Sequence, residues 1–314
     1  MDKTALVVGS INMDLVVNTD EIPGIGETVL GNSLIQNPGG KGANQGVAIS
    51  KLGKKVNFLG MVGKDGLGEK AINYMRDAGV NIDYIKKVDV TTGIAIINVD
   101  KHGNNNIIVI PGANEKVDRE YLEENLCVFK TSDIVIFQLE IPMDTVRCGL
   151  EIAKKLGKIT ILNPAPAAEL EDDILKNVDI LIPNEHELKR ISKMEIDNEE
   201  SIVTACRLLI EKGVDKVIVT LGENGVFYVD KSQYRLFPSY DVEVVDTTAA
   251  GDSFIGGFVS SYIEDKDVEK AIETGQKTAA ICIQRMGAQK AMPTKKEVEG
   301  FNCEKKKVGK QASK

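Results

Sequence analysis

"DTTAAGDSF", residues 246–254, sets two aspartates six positions apart with only small residues between them. Upstream, "DVEVV" (241–245) reads as a short β-branched strand. Downstream, "SFIGGFVSSYI" (253–263) reads as a helix, with Phe254, Phe258 and Tyr262 on one apolar stripe and Ile255 and Val259 beside it. A strand that passes through a tight small-residue turn into a helix is the repeating unit of an α/β protein.

The same unit recurs along the chain. "ALVVG" (5–9), "VNFLGMV" (56–62), "DIVIFQL" (133–139), "ITILN" (159–163), "DILIPN" (179–184) and "KVIVTLG" (216–222) are short, continuous and apolar. They read as strands buried on both faces. Helix-length stretches lie between them: "GANQGVAISKLG" (42–53), "LGEKAINYMRDAG" (67–79), "MDTVRCGLEIAKKLG" (143–157) and "ESIVTACRLLIEKG" (200–213). Each ends on a glycine suited to closing a helix. The pattern predicts one α/β domain over residues 1–300: a doubly wound, mostly parallel sheet with helices on both faces. Residues 12–38 and 91–110 break the rhythm with short alternating pieces around Gly, Pro and Asn, and read as antiparallel additions forming a small β-sheet lid. Residues 301–314, with "CEKKKVGKQASK", read as a flexible basic tail.

Composition narrows the function classes. The chain has 314 residues, 42% hydrophobic and 27% charged, with a formal net charge of −8 and no Trp. That balance argues against a nucleic-acid surface. No apolar run is long enough for a membrane span, and the first residues lack a signal peptide's apolar region. The five cysteines (127, 148, 206, 282 and 303) are scattered without a C-x-x-C pair. They read as small buried hydrophobes in a reducing, cytoplasmic setting. "GGKGAN" (39–44) is not a P-loop, because Ile35 and Gly42 stand where Gly and Ser or Thr are required. "GSINMD" (9–14) is not the dinucleotide fingerprint, which excludes the usual oxidoreductase reading. His102 and His186 form no metal-binding pair.

The junctions carry the chemistry. In "DTTAAGDSF", Ala249, Ala250 and Gly251 leave room for an anion at the first amides of the helix, with Asp252 beside them. Asp252 reads either as a helix cap or as the base that takes a proton from an acceptor hydroxyl. Asp246 reads as a turn cap or a cation ligand. Gly39, Gly40 and Gly42 of "NPGGKGANQ" allow close approach of a ligand, with Lys41 and Asn44 supplying polar groups. Asn12 and Asp14 follow the first strand, and an Asp there is a strong acceptor for a sugar hydroxyl.

In order and spacing, "GSINMD", "GGKGANQ", "PNEHE" (183–187), "TLGENG" (220–225), "DTTAAGDSF" and "RMGAQ" (285–289) resemble the ribokinase-like, PfkB-type carbohydrate kinases over roughly residues 4–294. The resemblance implies transfer of the γ-phosphate of ATP to the 5-hydroxyl of D-ribose. Sibling substrates (deoxyribose, fructose, a nucleoside) and a non-catalytic sugar- or nucleotide-binding protein are the alternatives. Asp252 would be the base, and the Ala249–Asp252 turn the anion hole. Asn12, Met13, Asp14, Gly40, Lys41, Gly42, Ala43, Asn44 and Glu140 would hold the sugar. Asn184, Thr220, Leu221, Gly222, Glu223, Asn224, Gly225 and Gln276 would line the ATP site, with Gly251 and Asp252 at its phosphate end. Glu187 would act on Mg²⁺ through water. Asp246, Thr248, Cys282, Arg285, Gly287 and Ala291 would hold K⁺, although Ala291 stands where a serine is common. The lid would also form a homodimer contact.

Overall fold

The computed structural model describes residues 3–306. Its first strand, β1 (Thr4–Val8), already requires cover on both sides. Leu6 and Val8 enter one hydrophobic core and Ala5 and Val7 the other, all four fully buried. Successive side chains of a strand point to opposite faces, so an unbroken apolar run needs two layers of helices.

The main sheet has eight strands in the order β14 (Tyr234–Phe237), β13 (Val226–Val229), β12 (Lys216–Thr220), β11 (Ile180–Leu181), β10 (Ile159–Leu162), β9 (Ile134–Phe137), β1 and β4 (Lys55–Leu59). From β4 through β12 every pairing is parallel, and β13 and β14 continue it antiparallel. One face is covered by residues of α3 (Arg119–Glu124), α4 (Leu126–Thr131), α5 (Met143–Lys155), α6 (Asp172–Leu175), α7 (Glu185–Ser192) and α8 (Glu199–Glu211). The other is covered by α1 (Lys41–Lys51), α2 (Gly66–Asp77), α9 (Ala250–Asp265) and α10 (Val268–Cys282). The short α11 (Lys295–Glu299) adds Val298 to a small satellite cluster with Leu52 and Ile281. Gly53, Gly79, Gly157 and Gly213 all take left-handed φ at the helix ends where the sequence placed them.

The lid is a separate sheet, β3 (Gly31–Gly39), β2 (Asn12–Thr19), β7 (Gly93–Val99) and β8 (Asn105–Ile110). It is not wholly antiparallel as expected, because β2 and β7 join its two hairpins side by side in parallel. "VNFLGMV" is not one strand: it divides at Gly60 into β4 and β5 (Met61–Gly63), and β5 pairs with β6 (Lys86–Val88) in a third small sheet.

Two further expectations are corrected. "DVEVV" is not a strand. Val244 and Val245 are about half exposed, and the N–H groups of Val245 and Asp246 both donate to the Ile283 carbonyl at the end of α10, at 2.8 and 3.1 Å. A helix end, not a neighbouring strand, holds this segment, so β-branched composition alone misleads. The basic segment from residue 301 is also docked as far as Lys306. Lys306 N donates to Ser239 O, Asp241 N donates to Glu304 O, and the Lys305 ammonium lies 5.4 Å from the Tyr240 ring centre. Residues 307–314 of the expected tail lie outside the described residues.

Candidate active site

β1 leads into β2, β2 and β3 lead back into α1, and the turn into α9 lies alongside. Glycine permits the crossing. Gly40 has φ +87°, and a Cβ there would stand 2.7 Å from the backbone nitrogen of Asn12. A Cβ on Gly39 would sit 2.3 Å from both carboxylate oxygens of Asp14. The lid strand that carries Asn12 and Asp14 is thereby pressed onto the start of α1. Glu140 fastens the same corner: its Oε2 accepts from Ser10 Oγ at 2.6 Å and from the Lys41 backbone N–H at 2.9 Å.

Asp252 lies in the first turn of α9 but does not cap it. The N-cap position is Ala249, in left-handed conformation (φ 58°) with no capping side chain. The Asp252 carboxylate, 7% exposed, accepts from Asn44 Nδ2 at 2.9 Å and from Gln45 Nε2 at 3.0 Å. Of the first-turn amides, Ala250 N donates to Thr247 O and Ser253 N to Ala249 O. The N–H groups of Gly251 and Asp252 have no hydrogen-bond partner among the described residues. Of the turn expected to hold an anion, Ala249–Asp252, only the amides of residues 251 and 252 are therefore available to one. A Cβ built on Gly251 meets nothing within 4 Å, so the helix packing does not require glycine there.

A cavity of about 240 Å³ opens at this turn, lined among others by Lys41, Asn184, Glu187, Thr220, Gly251 and Asp252. Charge is concentrated around it. Burial pushes the Asp252 carboxyl above the ordinary range against the pull of Lys41, Asn44 and Gln45. Burial opposes the charge on Lys41, but Asp252, Glu140 and Glu187 outweigh it and hold its pKa above the usual value. Asp14 is pushed up to about 7, first by burial and then by Glu140 and Asp252. The carboxylates thus make Lys41 a firm cation, and Asp14 changes charge near neutral pH.

The nucleotide candidates assemble from three elements. Asn184 pairs with Thr220 in a parallel bridge, and Thr220 N donates to Pro183 O at 2.9 Å. Gly225 crosses against Phe237 with φ +100°. Ser239 Oγ donates to Glu223 O at 2.5 Å. Gln276 Nε2 donates to the carbonyls of Phe237 and Pro238, which leaves its buried Oε1 without a hydrogen-bond partner among the described residues. Leu221, Glu223 and Asn224 line a neighbouring cavity of about 400 Å³, and Leu221 also packs into the core. Glu187 closes a capping box: its carboxylate accepts from Asn184 N at 2.9 Å, while Asn184 Oδ1 accepts from Glu187 N at 2.8 Å. Burial raises the Glu187 pKa against that bond and the Lys41 charge. Its second carboxylate oxygen has no protein hydrogen bond among the described residues, which suits contact with a hydrated Mg²⁺.

At the proposed cation segment, Asp246 accepts from Thr248 N (2.9 Å), Thr248 Oγ1 (2.6 Å) and Gly287 N (2.8 Å). Burial works against its charge, but these bonds hold its pKa below the ordinary value. The reading as a turn cap is therefore correct, and the carboxylate also ties the two loops together. An ionised carboxylate offers about four acceptor positions, so one is left for a cation. Cys282 Sγ lies 4.0 Å from Thr248 O, and the Arg285 side chain is committed to Glu297. The side chains of Met13 and Ala43 pack into the core instead of facing a ligand, and a Cβ on Gly42 would strike Ser10 and Gly9. The side chains of Cys282 and Ala291 are buried in the core as well, so only their backbone carbonyls are available for the expected cation.

The pfkB family carbohydrate kinase model matches residues 2–295. The chain belongs to this family. It is 39% identical over 302 residues to a ribokinase of Haemophilus influenzae, covering 96% of this chain and 99% of that one. It is 37% identical over 298 residues to a deoxyribokinase of Salmonella typhi, covering 94% and 96%. The structure of an Arabidopsis thaliana ribokinase complexed with ribose and ATP superposes with a TM-score of 0.92 at 31% identity, covering 96% of this chain and 100% of that one. A carbohydrate kinase must bring a sugar hydroxyl, a phosphate and a proton acceptor to one point. The turn at 249–252, with Asp252 and two open amides, is the candidate for that point.

Two residues bonded to this candidate site were not found by sequence reasoning. Gln45 stands inside a quoted motif, yet nothing in its type or spacing ties it to Asp252, 207 positions away. Asn114 was also missed: its Nδ2 donates to Asn12 Oδ1 at 2.7 Å and its Oδ1 accepts from Ile11 N at 2.9 Å. That bond uses the Asn12 carbonyl and leaves its amide nitrogen for a ligand. Among the described residues, no helix is long and apolar enough to cross a membrane.

Proposed function

We propose that the chain is an ATP-dependent ribokinase that transfers the γ-phosphate of ATP to the 5-hydroxyl of D-ribose. The observation that carries the reading is the buried Asp252 carboxylate next to two helix-start amides without partners among the described residues. Asp252 accepts the hydroxyl proton as the oxygen attacks phosphorus. The Gly251 and Asp252 amides hold the migrating phosphoryl group, aided by the Lys41 charge. Phosphoryl transition states are loose, so holding the groups in line does more than strong basicity. Mg²⁺ would neutralise phosphate charge near Glu187, which reaches it through water. K⁺ would sit between Asp246 and the 282–287 carbonyls, and would order the anion-hole turn without touching the phosphate.

The sugar would lie among Asn12, Asp14 and Lys41 under the lid. Deoxyribose is the second reading, because the deoxyribokinase relative is nearly as similar as the ribokinase. Leu34, Ile35 and Ile107 to Ile110 are 41–59% exposed on the lid, which supports a homodimer formed there. ATP-dependent phosphorylation of ribose, 2-deoxyribose, fructose and nucleosides, each in K⁺ and in Na⁺ at constant ionic strength, tests the reading. Ribose should give the highest kcat/KM, with K⁺ faster than Na⁺. Preference for another sugar would reassign the substrate, and indifference to the cation would remove the K⁺ site.

A further inference from the structure

Both oxygens of Asp252 end a chain of buried side-chain amides. On one side Gln289 Nε2 donates to Asn44 Oδ1 at 3.2 Å, and Asn44 Nδ2 donates to Asp252 Oδ2 at 2.9 Å. On the other, Gln138 Nε2 donates to Gln45 Oε1 at 2.6 Å, and Gln45 Nε2 donates to Asp252 Oδ1 at 3.0 Å. The second N–H of Gln45 goes to Asn163 Oδ1 at 3.1 Å, and Asn163 Nδ2 donates to the Ile182 carbonyl at 3.0 Å. All five amide residues are at most 8% exposed, and Gln45 and Gln138 are fully buried.

The direction of this network is set at its ends. The Ile182 carbonyl can only accept, and one atom, Gln45 Nε2, faces both Asn163 and Asp252. Asn163 must therefore turn its oxygen, and Gln45 its nitrogen, toward each other. Both Gln45 N–H groups are then committed, and its oxygen must accept from Gln138. No amide on this side can flip without placing two acceptors or two donors together. Space is reserved for the arrangement as well: a Cβ on Gly9 would lie 2.1 Å from Gln138 Oε1. That oxygen has no partner among the described residues, so Gln138 is held in place for the bond it donates.

We propose that Gln45, locked by Gln138 and Asn163, is a positioning residue that fixes the plane of the Asp252 carboxylate and keeps it ionised for proton abstraction. This rests on the kinase reading above. The charged groups that act on Asp252 from the surrounding elements are Lys41, Glu140, Asp14 and Glu187. Lys41 is the one cation among them, so a neutral donor such as Gln45 stabilises the ionised form without adding charge to the cavity. Losing such a donor raises a carboxyl pKa, and a base is lost as pH falls through its pKa, so the acid limb of activity moves to higher pH.

The test uses the full chain with Gln45→Met, Gln45→Glu and Gln138→Met. Each is measured by kcat and KM for ribose and ATP across pH, and by the titration of the Asp252 ¹³C carboxyl resonance, which needs no turnover. Gln45→Met should lower kcat at neutral pH by about tenfold or more, with both KM values within about twofold of wild type. Its acid limb and its resonance should both move up by about one pH unit. Gln45→Glu sets a second carboxyl against the first and should move them further, whereas Gln138→Met should move them less. A folded Gln45 variant with an unmoved resonance and acid limb would overturn the proposal, even if kcat fell. If Gln45→Met does not fold, the isosteric Gln45→Glu decides between the same two outcomes. A wild type without sugar kinase activity would sink the kinase reading, while the resonance would still show whether Gln45 controls Asp252.

Discussion

Two helices begin at the same edge of the main sheet, each with an acid at its third position, and the two acids behave in opposite ways. At α7, Asn184 caps the helix and Glu187 turns back to the Asn184 amide, so the first turn is closed by its own side chains. At α9 the cap position is Ala249, which has nothing to offer, and Asp252 turns away to Asn44 and Gln45. A missing cap costs about 1 kcal/mol, and a non-glycine residue in left-handed conformation costs roughly another. One helix start is thus closed by its own side chains and the other is left open, which suits the anion proposed there. On the same reading the acid at α9, turned away from its own helix start, serves the acceptor hydroxyl.

The comparison breaks first at Asp252. Asp252→Asn should lower kcat on the order of 10²–10⁴-fold while ATP binding stays near normal. Steady-state kinetics and nucleotide titration decide it, and a loss below about tenfold would make Asp252 a structural residue like its counterpart. Gly251→Ala comes next. Its methyl meets open space, so the helix should be unharmed or gain up to about 1 kcal/mol. The same methyl would stand beside the open amides and should cut kcat on the order of 10–10²-fold. A melting curve and a rate from one preparation test both halves, and an unchanged rate would place the phosphate elsewhere.

The effect of pH sharpens the contrast. Asp14, with its pKa near 7, accepts from a sugar hydroxyl more strongly when ionised, so KM for the sugar should rise as pH falls below about 7. Asp252 contributes to that elevation and Glu187 does not. Asp252→Asn should therefore shift the transition to lower pH, and Glu187→Gln should leave it in place. Sugar affinity measured by calorimetry across pH reads both, and equal shifts would dissolve the distinction between the two acids. The smallest effect is expected at α7 itself. Glu187→Gln can still close the capping box, so the melting temperature should hold while more Mg²⁺ is needed for half-maximal rate. Glu187→Ala should add a stability loss of about 1 kcal/mol.

Much of this was legible from the residues. Continuous apolar runs such as "ALVVG" imply a sheet covered on both faces, because a strand with no polar side has nowhere else to go. Helix ends were readable at Gly53, Gly79, Gly157 and Gly213, since the left-handed closing turn selects glycine locally. The open start of α9 was readable too, because small residues before a helix leave its first amides approachable. These are properties of a few neighbouring residues, and a sequence records them directly.

Tertiary structure decided the rest. Whether Asp252 caps its helix or turns away from it depends on Asn44 and Gln45, which reach it from another helix. Whether "DVEVV" forms a strand depends on a neighbour to pair with, and the Ile283 carbonyl takes its amides instead. Met13 and Ala43 lie inside the motifs read as a sugar site, yet the pleat and the helix phase turn them into the core. The charges at Asp14 and Lys41 follow from carboxylates that meet only in the folded chain. Local geometry comes from chain neighbours, and hydrogen-bond partners and electric fields come from residues far apart in sequence. The sequence alone therefore shows where small and polar residues gather, and only the fold shows which of them meet.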